Sequence, residues 1–98
     1  MDKEQAIKLA RQYKEIIAGR LPLKAVYLYG SYSNGTNRID SDIDIAVIVE
    51  SLKVDYFEDT TLLWKLKRRI SNFIEPVLLT EDHSNPLYAA VVKTGIMI

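Results

Sequence analysis

The sequence predicts a single small α/β (α+β) domain, built from helical and strand segments that take turns along the chain. Three observations predict it. Residues 3–18 repeat their apolar side chains at helical spacing, residues 41–49 alternate with a period of two, and the two patterns go on exchanging to the C-terminus. Ninety-eight residues are enough for one core, so one domain over 1–98 is expected. Lys plus Arg and Asp plus Glu number 13 each, which gives no net charge and argues against a protein whose main task is to grip a nucleic-acid backbone. The absence of cysteine excludes disulfides and thiolate metal sites. With no signal-like or membrane-length apolar run, a cytoplasmic protein without membrane association is expected.

The first helix spans 3–18. Ala6, Leu9/Ala10, Tyr13 and Ile16/Ile17 form its apolar stripe, Asp2 caps its start and Gly19 stands at its end. Its basic face, Lys3, Lys8, Arg11 and Lys14, is broken by Glu4 and Glu15 and reads as solvated. Residues 24–29 are strand formers, with Tyr27 and Tyr29 on one face. A short helix or turn is expected over 32–38 and a strand over 41–49, whose Ile43, Ile45, Val47 and Val49 turn one face to the core. Asp55 with Glu58 resembles a capping box, and Tyr56, Thr60, Leu63, Leu66/Lys67 and Ile70 carry a helix to about Ser71. Trp64 lies off that stripe, at the fringe of the core or on a partner surface. Residues 72–79 read as a strand that Pro76 confines to an edge or a bulge. Asn85 or Ser84 then caps a helix with Pro86 in its first turn, Leu87, Ala90 and Val91 facing inward and Gly95 at its end. The tail Ile96-Met97-Ile98 should form a short buried strand, and His83 should be exposed.

The chemistry is concentrated between residues 30 and 49. By strand parity Asp42 and Asp44 point together away from the core, with Cα atoms roughly 6.5–7 Å apart. Two carboxylates so placed suit a hard divalent cation. Mg2+ takes oxygen ligands and is usually held by one or two carboxylates plus substrate phosphates, and two ions would clamp the oxygens of an in-line displacement. Upstream, Gly30-Ser31 lets backbone approach a phosphate and adds N–H groups and a hydroxyl as donors. A solvated strand edge would account for either feature alone. Their combination, with strand, Gly-Ser, the Gly35 turn and Ser41-Asp42-x-Asp44 opening a second strand, favours a site. Glu75 adds a carboxylate among apolar neighbours, costly unless paired or metal-bound.

Gly30-Ser31, Gly35, Ser41-Asp42 and Asp44 resemble the signature of the DNA polymerase beta-like nucleotidyltransferase superfamily, and the short chain resembles its minimal nucleotidyltransferase branch. The resemblance covers roughly residues 20–98. It implies a mixed sheet of three to four strands flanked by helices, Mg2+ with a nucleoside triphosphate (ATP foremost), and transfer of a nucleoside monophosphate to a hydroxyl. In this reading Asp42 and Asp44 hold the metal ions, Gly30 and Ser31 the triphosphate, and Glu75 is the superfamily's third acid, a metal ligand or the general base. Ser33-Asn34 departs from the Ala-Arg frequent at that place, so an arginine for the triphosphate is missing there. The resemblance further implies an antitoxin whose partner is a HEPN-domain toxin, modified by AMP on a tyrosine; homo-oligomers are left open. The alternatives are an antitoxin that acts by binding alone and a transferase for small molecules of the aminoglycoside kind.

Overall fold

The computed structural model describes residues 1–98. Helix α1 (Lys3–Ala18) leads into β1 (Leu23–Tyr29), the one-turn helix α2 (Ser31–Asn34) and β2 (Ile43–Val49). Then come α3 (Tyr56–Lys67), β3 (Ile74–Thr80), α4 (Leu87–Thr94) and the two-residue β4 (Ile96–Met97). Both expected caps form: Asp2 Oδ1 accepts from Gln5 N–H at 2.8 Å and Asp55 Oδ1 from Glu58 N–H at 2.7 Å. Asn85 Oδ1, one residue ahead of the cap, accepts from Leu87 N–H at 2.9 Å, but the N-cap of α4 is Pro86 and not the asparagine or serine expected.

The strands lie in the order β3-β2-β1-β4. β1 pairs antiparallel with β2 and with β4, whereas β2 and β3 are parallel, so the sheet is mixed. Parallel neighbours need a crossover, and α3 provides it, which brings the C-terminal end of α3 to the start of β3. β3 is an edge strand, as Pro76 requires. Ile43 N–H donates to Phe73 O at 2.7 Å, so residues 73, 75 and 77 bond toward β2 and Pro76 occupies an outward position where no ladder donor is lost.

One face of the sheet carries the main core. Val26, Leu28, Ile43, Ile45, Val47, Val49, Ile74 and Leu78 pack there against Ala6, Ala10, Tyr13 and Ile17 of α1, Leu63 and Leu66 of α3 and Tyr32 of α2. The buried Tyr13 hydroxyl donates to Leu63 O at 2.8 Å and ties α1 to α3. Ile96 and Ile98 pack on this core, but Met97 is 64% exposed. β2 departs from the one-faced strand expected: Ala46 and Ile48 on its second face are also buried, with Tyr27, Leu79 and Val91 of α4. The central strand is covered on both sides because α4 folds back over it.

Other expectations are corrected by packing. α2 is confined to residues 31–34, with Gly35 in the left-handed region as its stop. α3 ends at Lys67, and residues 68–70 form a turn. Tyr56 is half exposed, not core, because the inner face of that first turn belongs to Asp59. The buried Asp59 carboxylate accepts from Lys53 N–H at 2.6 Å and Val54 N–H at 3.3 Å, anchoring the loop before α3. Ala90 is exposed, since only Val91 of α4 is fully buried.

Candidate active site

The second face of the sheet is covered by α4 only toward one end. At the other end a row of three residues crosses three strands: Asp44 of β2 stands opposite Tyr29 of β1 and in register with Glu75 of β3. Asp42 lies just before β2, exposed, while Asp44 is half-buried. Tyr29 and Tyr27 share a face as read, but Tyr27 is covered by α4 and only Tyr29 reaches the row. Glu75 stands on the exposed edge strand and not in an apolar pocket, because α4 does not extend over it.

Gly30 closes the site from the β1 side. Its φ of 73° and ψ of −143° lie where side chains are strained, and a Cβ there would collide with Asp44 Oδ2 and stand 3.2 Å from Asp44 Cγ. The Gly-Ser turn therefore lies against Asp44. Ser33 Oγ donates to Gly30 O at 3.0 Å, whereas the Ser31 hydroxyl bonds no protein group. Arg38, the cation nearest in sequence to the aspartates, is exposed, and its N–H is held by Ser41 Oγ at 2.7 Å. Asp40 is exposed too, outside the row, and His83 is exposed and stacks on Tyr88 with ring centroids 3.9 Å apart.

Like charges dominate the electrostatics. Burial, with the charge of Asp42 added, holds the Asp44 carboxyl above its usual range. Glu75 is also raised, by partial desolvation, by the charges of Asp42 and Asp44 and by a side-chain hydrogen bond with Asp42, while Lys67 works against them. On an exposed edge strand the neighbouring charges are the more telling cause. Burial and then Asp44 and Glu75 raise the Tyr29 hydroxyl as well. The single ion pair within 4.0 Å, Lys24 with Glu81 at 3.7 Å, lies elsewhere, so no bridge neutralises these acids.

The donor set suits a divalent metal. None of the three carboxylates is in an ion pair, and Gly30 leaves room against Asp44. No three acidic, His or Cys side chains stand close enough together to hold a metal ion, so the carboxylates alone do not make a closed metal site. The largest concavity, about 670 Å³, lies at the other end of β2 and β3, lined by Glu50, Thr80, Asp82 and Ser84 among others, and shares no residue with the acidic row. Sequence reasoning overlooked Lys67 as a neighbour of the site, because its place on the apolar stripe of α3 signalled packing alone.

Comparison with known proteins bears on the family and the fold. The family profile described as "Polymerase beta, Nucleotidyltransferase" matches residues 4–98. A protein adenylyltransferase, MntA of Shewanella oneidensis, is 36% identical over 53 residues, 54% of this chain and 34% of that one, so the match spans about a third of the relative. A candidate nucleotidyltransferase from Sulfolobus solfataricus superposes with a TM-score of 0.75 at 25% identity, covering 97% of this chain and 80% of its own. A mutant toxin–antitoxin structure, MntA–HpeT, superposes at 0.58 with 28% identity, covering 100% of this chain and 72% of that one. The chain is a member of the polymerase beta nucleotidyltransferase family.

Proposed function

We propose that the protein is an Mg2+-dependent adenylyltransferase that moves AMP from ATP to a tyrosine hydroxyl of a HEPN-type toxin and so acts as its antitoxin. The observation that carries the reading is the contact of Asp44 with Gly30 on one side and its register with Glu75 on the other. It supports a triphosphate at Gly30-Ser31 beside the Asp44 and Glu75 carboxylates. The names of the MntA relative and of the MntA–HpeT pair support a protein acceptor and an antitoxin role.

Metal ions, when bound, supply charge neutralisation along the phosphates; Asp42 and Asp44 would hold them, with Glu75 as a third ligand or free to take a proton. In the second case Glu75 accepts the proton of the tyrosine hydroxyl, the oxygen bonds to the α-phosphorus, and the bond to the β-phosphate oxygen breaks to release pyrophosphate. The Ser31 hydroxyl and the Gly30 backbone orient the phosphates, so catalysis is largely positioning.

The test is incubation of the protein with α-labelled ATP, Mg2+ and the toxin encoded beside it. Label should appear on the toxin and vanish with Asp44→Asn. Neutralisation that survives this substitution without labelling would replace the enzyme by a binding antitoxin, and labelling of an aminoglycoside in place of the toxin would move the acceptor to small molecules.

A further inference from the structure

The outer face of α3 has no partner within the chain. Phe57 is 75% exposed, Tyr56 51% and Trp64 41%, although all three are large and aromatic. With Thr60, Lys65 and Arg68 they line a groove of about 520 Å³. Positions 57, 60, 64 and 68 recur at helical spacing, opposite the buried Leu63 and Leu66. α3 is thus apolar on both sides, a pattern that a helix needs only if something covers the second side.

The groove also has a sign. Its only charged lining residues are Lys65 and Arg68, and no carboxylate within it answers them. Buried Lys67 stands between the groove and the acidic row: its Nζ sits 4.6 Å from the Trp64 ring centroid, donates to Asn72 O at 3.0 Å, and acts electrostatically on Glu75.

We propose that this face docks an amphipathic helix of a protein partner, whose apolar ridge covers Phe57 and Trp64 and whose carboxylates meet Lys65 and Arg68. Seated there, the partner holds its acceptor hydroxyl toward Glu75. The proposal rests on the protein-acceptor reading above. A second copy of this chain fits less well, since each copy would bring a groove whose charged lining is wholly cationic. Single-stranded nucleic acid would use the cations and rings, but the chain as a whole carries no net charge to draw it.

Trp64 is the only tryptophan, so its fluorescence reports on the groove directly. The probe is a synthetic helical peptide with a leucine stripe flanked by glutamates, set against the same peptide flanked by lysines. The acidic peptide should shift Trp64 emission to the blue and bind about tenfold more tightly than the basic one, with Phe57→Ala weakening it about tenfold and Lys65→Glu/Arg68→Glu reversing the preference. Equal affinity for both peptides, or none, overturns the proposal. So does tighter binding of a single-stranded RNA oligonucleotide, or self-association of the protein alone that Phe57→Ala abolishes. Peptide binding is expected unchanged in Asp44→Asn, which separates the two readings: a groove that binds in a protein inert toward ATP stands without the transferase, and an active transferase with an indifferent groove loses only the docking.

Discussion

Replacing Asp44 by Asn removes one charge from a row of acids that no ion pair neutralises, and the protein without metal should gain stability. Asp44 and Glu75 stand in register on adjacent strands, with Asp42 two residues away. Charges roughly 6 Å apart repel by about 0.7–2.8 kcal/mol for effective dielectric constants between about 80 and 20. Asp44 is only half-buried, so screening places the gain near the lower end, about 1 kcal/mol. In a domain of this size that corresponds to about 4–8 °C in Tm. The sign with pH follows from the raised carboxyl: the native state favours its protonated form, so the penalty is absent below the unfolded pKa of about 3.9 and develops as pH rises through the higher folded value. The advantage of Asp44→Asn should therefore be full at neutral pH and fade in acid. Added Mg2+ at about ten times its Kd should stabilise the wild type by about 1.4 kcal/mol and the variant hardly at all. Thermal melts followed by circular dichroism across this pH range, with and without MgCl2, measure both effects. A variant clearly less stable than wild type at neutral pH, or one equally stabilised by Mg2+, would refute the reasoning.

Two further substitutions examine the frame around the site. Gly30→Ala combines an unfavourable φ with a collision at Asp44 and should cost about 1–3 kcal/mol in denaturant titration, so a neutral result would mean that the turn is not held against the carboxylate. Asp59→Ala strands the N–H groups of Lys53 and Val54; a loss of about 1–3 kcal/mol is expected, with faster hydrogen exchange at those two amides, and slow exchange there would contradict the anchoring role.

Local patterns made much of this legible. Asp2 and Asp55 announced their caps, the parity of 43–49 put Asp44 opposite Ile43 and Ile45, and Pro76 marked an edge strand. What escaped depends on distant partners. Ala46 and Ile48 belong to an apolar run that alternation cannot divide between two faces, and only α4, some forty residues on, makes the second face interior. Asp59 falls among polar residues whose spacing gives no hint that a loop backbone will close over it. Glu75 could be placed beside Asp44 only by resemblance, because a parallel register between strands separated by a helix leaves no trace in local sequence.

The borders of the sheet carry one more consequence. Pro76 deprives β3 of a donor on its outer rim, and β4 is only two residues long, so neither side offers an incoming strand an unbroken row of amides. Sheet extension from molecule to molecule is thereby discouraged.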